Sequence, residues 1–343
     1  MKSLRKILYP FSLLYGLITS LRNEAFDRGI LPSTSFEIPV IAVGNLNMGG
    51  TGKSPMIEYL VRMFLESTQV AVLSRGYGRK TKGFYLANES SSAADLGDEP
   101  YQFYRKFRKL IVAVDEERVR GMENLLKSKP KPDLVLLDDA FQHRYVKAGY
   151  YILLTSYDHL YTDDMVLPAG DLRERRIGAR RADIIVVTKC PKDISEEKQR
   201  TIVQKIQPMP NQEVFFSAID YDEYVIRGND TYPLKEFISS KVLLVTGIAN
   251  PDPLKNYLED LQIDFHHLKF DDHQFIGEKE LQRVSDRFTS IGDGDKVILT
   301  TEKDYVRSFL NVELPVYYLP IKTEIIKDSK KFNDLIKNYV RKN

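Results

Sequence analysis

Apolar residues occur along this chain in short, nearly unbroken runs. Ile38-Pro39-Val40-Ile41-Ala42-Val43, Val70-Ala71-Val72-Leu73, Leu110-Ile111-Val112-Ala113-Val114, Leu134-Val135-Leu136-Leu137, Tyr151-Ile152-Leu153-Leu154 and Ile184-Ile185-Val186-Val187 show no alternation of polar with apolar positions. Strands of that kind are buried on both faces, as in parallel sheets. Helical stretches are predicted between them, over 56–64, from Pro100 onward and over 116–126. A Pro-rich polar segment at 207–212 marks a boundary, and the runs 214–218 and 223–226 predict a two-stranded linker ribbon. A second alternation follows, with strands over 242–247, 266–270, 297–300 and 316–319 and helices over 253–261, 278–288 and 329–340. The predicted organisation is an N-terminal helix in 1–30, a mostly parallel α/β domain over 31–210, a linker over 211–230 and a smaller α/β domain over 231–343.

The first run leads into Asn47-Met48-Gly49-Gly50-Thr51-Gly52-Lys53-Ser54 and then a helical pattern. Strand, glycine-rich turn, Lys-Ser and helix is the layout of a phosphate-binding loop, so the expected fold class is a P-loop NTPase-like sheet domain. Backbone N–H groups at a helix N-terminus form a concave anion site, and glycines let a phosphate approach them. Lys53 would reach the β- and γ-phosphates, and the Ser54 hydroxyl would ligate Mg²⁺. Asn47 stands where the usual pattern has its first glycine; asparagine tolerates a left-handed backbone better than most other residues.

The ends of later strands supply polar candidates, because open α/β sheets bind ligands at their carboxyl edge. Ser74-Arg75-Gly76-Tyr77-Gly78-Arg79 is a basic glycine-rich loop, suited to an anion or simply a solvated turn. Gly97-Asp98-Glu99-Pro100 opens a helix. Its carboxylates fit a helix cap, or Asp98 accepts a proton from an attacking hydroxyl. Asp138 and Asp139 end an apolar strand, where burial without a partner is costly and a cation is the natural counterpart. Gln142 and His143 follow, with His143 either at phosphate or a satisfied polar residue. Arg173 and Glu174 lie on a Pro/Gly-rich loop, suited to phosphate and metal respectively, or to a surface ion pair. Thr188-Lys189-Cys190-Pro191 has proline where guanine-reading loops carry aspartate, which leaves ATP as the expected nucleotide. In the second half, Asp272-His273 pairs an acid with an imidazole, and Thr300–Asp304 either binds phosphate, bridges the domains or is a solvated strand end.

Composition narrows the picture. A formal net charge of +2 over 343 residues gives no nucleic-acid signature. The single cysteine, Cys190, excludes an internal disulfide framework, and zinc-type Cys/His spacings are absent. Residues 3–21 place Arg5 and Lys6 before an apolar and aromatic run that Pro10, Ser12 and Gly16 interrupt. The run is shorter than a spanning helix needs, and no small-residue cleavage site follows. It reads as an amphipathic helix lying in a membrane surface, the alternative being a helix packed on the protein's own core.

The segments VGNLNMGGTGKSP, LSRGYGR, GDEP, LLDDAFQH, LPAGDLRE, VTKCP, FDDHQF and TEKD, in this order, resemble the tetraacyldisaccharide 4'-kinase family. The resemblance runs from the N-terminal helix to about Asp304, and it includes the missing first glycine of the loop. It implies transfer of the ATP γ-phosphate to the 4'-hydroxyl of a lipid A disaccharide precursor. The implied setting is the cytoplasmic face of a bacterial inner membrane, with a monomer expected and no nucleic-acid partner. Carried onto this chain, it makes Lys53 and Ser54 phosphate and Mg²⁺ contacts, and Asp98 the base in a dyad with His273. It makes Glu99, Asp138, Asp139 and Glu174 organisers of metal and phosphates. Arg173, Gln142 and His143 match positions near the site, and Arg75 and Arg79 would meet ATP or the acceptor's phosphate. Two rivals share the phosphate loop: a membrane-associated ATPase switch, which needs no acceptor base, and a soluble kinase of a small sugar, which needs no membrane helix.

Overall fold

The computed structural model describes residues 5–228, 230–272, 274–310 and 312–343. Its strands are β1 (Val40–Asn45), β2 (Val70–Ser74), β3 (Tyr85–Leu86), β4 (Ile111–Val114), β5 (Leu134–Asp138), β6 (Tyr150–Ser156), β7 (Ile184–Thr188) and β8 (Glu213–Tyr221). They continue as β9 (Tyr224–Arg227), β10 (Asp230–Pro233), β11 (Lys241–Thr246), β12 (Phe265–Lys269), β13 (Lys296–Thr301), β14 (Val316–Leu319) and β15 (Ile321–Ile325).

A nine-stranded sheet has the order β15-β8-β7-β6-β1-β5-β2-β4-β3. Its strands run parallel except the two edges, β3 and β15, which are antiparallel to their neighbours. The uniformly apolar runs are its centre, buried along their whole length in β1, β2, β4, β5 and β7. Strand β1 lies between β5 and β6, and Val43 pairs with Asp138 in register. That pairing sets the carboxyl end of β5 beside the loop that leaves β1. A smaller sheet has the order β10-β9-β14-β13-β11-β12, parallel from β14 to β12.

Two expectations about organisation are corrected. Residues 213–227 form no ribbon: β8 extends the large sheet beside β7, whereas β9 belongs to the small one. Phe215 and Phe216 need cover on both faces, and only the large sheet's two apolar layers supply it. The chain also comes back to the large sheet at its end. Strand β15 pairs with β8, and the helix Ser329–Lys342 buries Phe332 and Ile336 in the main core. The hydroxyl of Tyr339 on that helix accepts the Val40 N–H at 3.0 Å. The second unit is therefore inserted between β8 and β15 and does not extend to residue 343.

The N-terminal helix spans Tyr9–Asp27 after a 3₁₀ turn, Lys6–Leu8. Pro10 lies in its first turn, where no intrahelical N–H bond is lost. Ser12, Gly16 and Phe26 face inward and are buried. Phe11, Leu13, Leu14, Leu17, Ile18 and Leu21 face out, each about half or more exposed. A side chain at Gly16 would press on Arg175, so the small residues set how closely the helix seats. Among the described residues no helix is long and apolar enough to cross a membrane.

The two units are joined through the helix Asp98–Lys106. Lys106 sits between buried carboxylates, 2.7 Å from Glu58 of the first unit and 2.6 Å from Glu302 of the second. Of the alternatives for Thr300–Asp304, Glu302 takes the bridging one. Burial, then the neighbouring Glu58 charge, pushes the Glu302 carboxyl up to about 7. A raised folded-state value makes this group's contribution full below the ordinary 4.5 and lost as pH rises toward 7. Wild-type protein should therefore lose melting temperature between pH 5 and pH 7.5, as about expected for one such group, and Glu302→Gln should flatten that dependence in calorimetric scans.

Candidate active site

In the phosphate loop, Gly49 and Gly52 adopt φ of +106° and +84°, a region costly for any side chain. Asn47 is not among the residues with positive φ, so the expected left-handed tolerance is not used there. Its buried side chain instead donates to Asp164 at 3.0 Å, and its backbone bridges to Leu172. The exposed Met48 is tied by its N–H to the Asp171 carbonyl at 2.7 Å. Thr51 is buried, receiving Asn45 Nδ2 at 2.8 Å, while its carbonyl accepts the Thr188 hydroxyl. Lys189 reaches the Gly50 carbonyl. The loop is thus braced from β7 and from the 164–172 segment, and its free N–H edge opens at the helix Lys53–Phe64, which begins with Lys53 and Ser54. His159, Asp164 and Asp171 lie together beside it. Those two carboxylates are occupied by Asn47, by main-chain N–H groups and by Arg5.

Opposite the loop stands a group of charged residues. Lys53 Nζ lies 3.4 Å from Asn45 Oδ1 and 3.7 Å from Asp139. Arg173 spans both Asp139 oxygens at 2.9 and 3.0 Å. Burial would raise the Asp139 carboxyl, but Lys53 and Arg173 together hold it below the usual range. Asp138 is buried and accepts the Ser74 hydroxyl on Oδ2 at 3.0 Å, while its Oδ1 has no hydrogen-bond partner among the described residues. Burial, then the Glu99 and Asp139 charges, pushes Asp138 up to about 7. Glu99 comes from the first turn of the Asp98–Lys106 helix, and Lys303 of the second unit lies 3.9 Å from it. Asp98 is paired with Arg307 of the second unit at 3.0 Å. His273 lies outside the described residues.

Other expected contacts are engaged elsewhere. Glu174 is buried with both oxygens occupied: Asn23 at 2.6 Å on one, Gln142 at 3.0 Å and Arg181 at 2.7 Å on the other. It ties the N-terminal helix to the loops and is not directed at Asp138. Arg79 donates to the Gly83 and Val114 carbonyls and pairs with Glu116, so it braces its own loop and does not reach toward a ligand. Arg75 is exposed near His143 and Arg118. Burial, then Arg118 and Arg75, pushes His143 down to about 4, which leaves it neutral at physiological pH. Gln142 donates to the Asn45 carbonyl at 2.9 Å.

Arg118 belongs to the site and was not singled out from the sequence. It is 3% exposed, donates to the Asp138 carbonyl at 3.1 Å, and keeps Nε without a hydrogen-bond partner among the described residues. Burial lowers it to about 10, against the opposing pull of Asp138 and Asp139, and it stays a cation.

Residues 4–341 match a family model described as Tetraacyldisaccharide-1-P 4'-kinase. The chain belongs to that family. A relative named tetraacyldisaccharide 4'-kinase from Flavobacterium johnsoniae is 51% identical, covering 100% of this chain and 99% of the relative. One of the same name from Bacteroides thetaiotaomicron is 43% identical, covering 99% and 94%. A crystal structure of LpxK from Aquifex aeolicus in complex with ATP superposes with a TM-score of 0.80 at 29% identity, covering 98% of this chain and 99% of that one. The tetraacyldisaccharide 4'-kinase fold, an α/β P-loop architecture, is thus the fold of this chain, and it is an ATP-dependent kinase.

Two of the four carboxylates that the resemblance gives to metal and phosphates should separate experimentally. Asp139→Asn should weaken ATP binding by roughly tenfold in titration calorimetry, through its lost pairing with Lys53 and Arg173. Glu174→Gln should leave ATP affinity nearly unchanged while costing about 1–3 kcal/mol of folding stability.

Proposed function

We propose that the geometry divides the labour of the tetraacyldisaccharide 4'-kinase reaction as follows. That reaction moves the ATP γ-phosphate to the 4'-hydroxyl of tetraacyldisaccharide 1-phosphate, a step of lipid A biosynthesis. The N–H groups of Gly49 to Ser54 and the helix they open hold the phosphates, and Lys53 neutralises the β- and γ-oxygens. The lone buried oxygen of Asp138 fits a divalent cation. Ser54, Glu99, Asp138 and Asp139 would hold Mg²⁺, which when bound neutralises phosphate charge. Asp98 takes the proton of the acceptor hydroxyl as its oxygen attacks the γ-phosphorus. The bond to the β–γ bridging oxygen breaks, and ADP leaves with that electron pair. His273, two residues after Asp271 in the sequence, is the proposed partner of Asp98. Arg118, Arg173 and Arg75 supply positive charge around the transferring group.

One observation carries the choice of a lipid acceptor. The N-terminal helix packs on the loops that present the phosphate-side residues, with Tyr15 on the Arg173 carbonyl at 3.2 Å and Arg22 on the Gln142 carbonyl. From Ile7 to Leu21 its other face is an apolar surface. Such a face is stable when sunk into the acyl boundary of a bilayer, which would bring an acyl-bearing sugar to the site from the membrane plane. The proposed setting is the cytoplasmic side of the inner membrane, with the protein peripheral to it.

Mass spectrometry of the acceptor after incubation with ATP should show one added phosphate. Asp98→Asn should lower kcat by roughly 10²–10⁴-fold while leaving ATP affinity close to wild type. ATP turnover that ignores the acceptor would instead favour a hydrolytic switch. Flotation with anionic liposomes should be lost in a Leu14→Glu, Leu21→Glu double variant; a variant that still floats would remove the membrane role of this helix.

A further inference from the structure

The segment after β13 grips the Asp98–Lys106 helix at both ends. Glu302 holds Lys106 at its C-terminal end, as described, and Lys303 and Arg307 reach Glu99 and Asp98 at its N-terminal end. Arg307 sits on a π-helical turn, Tyr305–Phe309, a rare widened geometry that is frequent at functional sites. Its side chain is 6% exposed, unusual for an arginine whose neighbours include so much solvent at Asp98. The guanidinium is fixed from behind. Asp304, 1% exposed, lies 3.4 Å from Nη1 and is itself anchored by the Gly247 N–H at 2.9 Å and the Thr301 hydroxyl at 2.7 Å. From that anchor Nε donates to Asp98 Oδ2 at 3.0 Å. Nη2 is buried with no hydrogen-bond partner among the described residues. Burying an arginine with a donor unspent is costly, and here the cost accompanies a bond to the carboxylate read as the base.

We propose that Arg307 is a positioning residue for phosphoryl transfer, contributed by the inserted unit, that fixes the Asp98 carboxylate by one oxygen and leaves Oδ1 to take the acceptor proton. The inference rests on the reading of Asp98 as the base. A carboxylate at the exposed start of a helix otherwise samples several rotamers, and only some aim an oxygen at the acceptor. The clamp comes from the second unit, so the base is correctly set only while the two units are docked through Glu302, Lys303 and Arg307. Among the described residues Arg307 pairs with Asp98 and Asp304 and with no group of the phosphate loop or at Asp138, so its loss should leave ATP binding intact.

The test compares Arg307→Gln, Arg307→Lys and Asp98→Asn in the full-length protein, reading kcat, KM for both substrates, ATP affinity by calorimetry, and melting temperature. Arg307→Gln is expected to lose kcat by roughly ten- to a hundredfold, the size of a misplaced reacting group, with ATP affinity within about twofold of wild type. Arg307→Lys, which keeps one charged donor, should recover part of the lost kcat. The double variant Arg307→Gln, Asp98→Asn should be no slower than Asp98→Asn alone. If Arg307→Gln folds but keeps wild-type kcat, or loses only KM, the positioning role is overturned while the base reading stands. If Asp98→Asn keeps wild-type kcat, the base reading falls and the inference with it. Should Arg307→Gln fail to fold, Arg307→Lys decides: unchanged ATP affinity with a reduced kcat supports the role, and full kcat contradicts it.

Discussion

The crowding of carboxylates against Lys53 organises this molecule. Asp138 is buried at the end of β5 because β5 lies beside β1, in register with the residue two places before Asn45. A fully buried, partly unsatisfied carboxylate raises its own proton affinity and that of any acid nearby, so the arrangement is stable only beside cations. Lys53, Arg118 and Arg173 supply them from three separate segments. The phosphate loop is the anionic ligand's half of the same electrostatic design.

Two devices connect that centre to the rest of the chain. The loop 164–174 braces the phosphate loop through Asp164, Asp171 and Leu172, sends Arg173 to Asp139, and anchors the N-terminal segment through Glu174 and through the Pro168 and Gly170 carbonyls that Arg5 meets. The apolar outer face and the phosphate site are therefore parts of one rigid assembly. The inserted unit, in turn, holds the Asp98 helix by Glu302 and Arg307, so the acid side of the site depends on docking between two sheets.

The sequence made the large sheet legible because its strands are apolar on both faces, a pattern that no exposed segment imitates. The phosphate loop was legible because its chemistry demands glycines at left-handed positions. Strand β8 was not, since a run such as Val214–Ala218 satisfies a ribbon and a sheet edge equally until its neighbours are known. The last helix was found, but an amphipathic stripe does not say which sheet it covers. Arg173 and Glu174 were both expected at the site, for phosphate and metal respectively; their side chains point apart, and Arg173 reaches Asp139 while Glu174 meets Asn23. Arg118 and Arg307 look like ordinary surface arginines in sequence, because what buries them comes from strands and helices distant along the chain.

Calorimetric titration of ATP with Mg²⁺ and with EDTA, on wild-type protein and on Asp138→Asn, tests the central claim most directly. A site built to seat a cation between these carboxylates and the phosphates should bind ATP at least roughly tenfold more tightly with Mg²⁺, and Asp138→Asn should lose most of that gain. An equal Mg²⁺ dependence in the two proteins would contradict it.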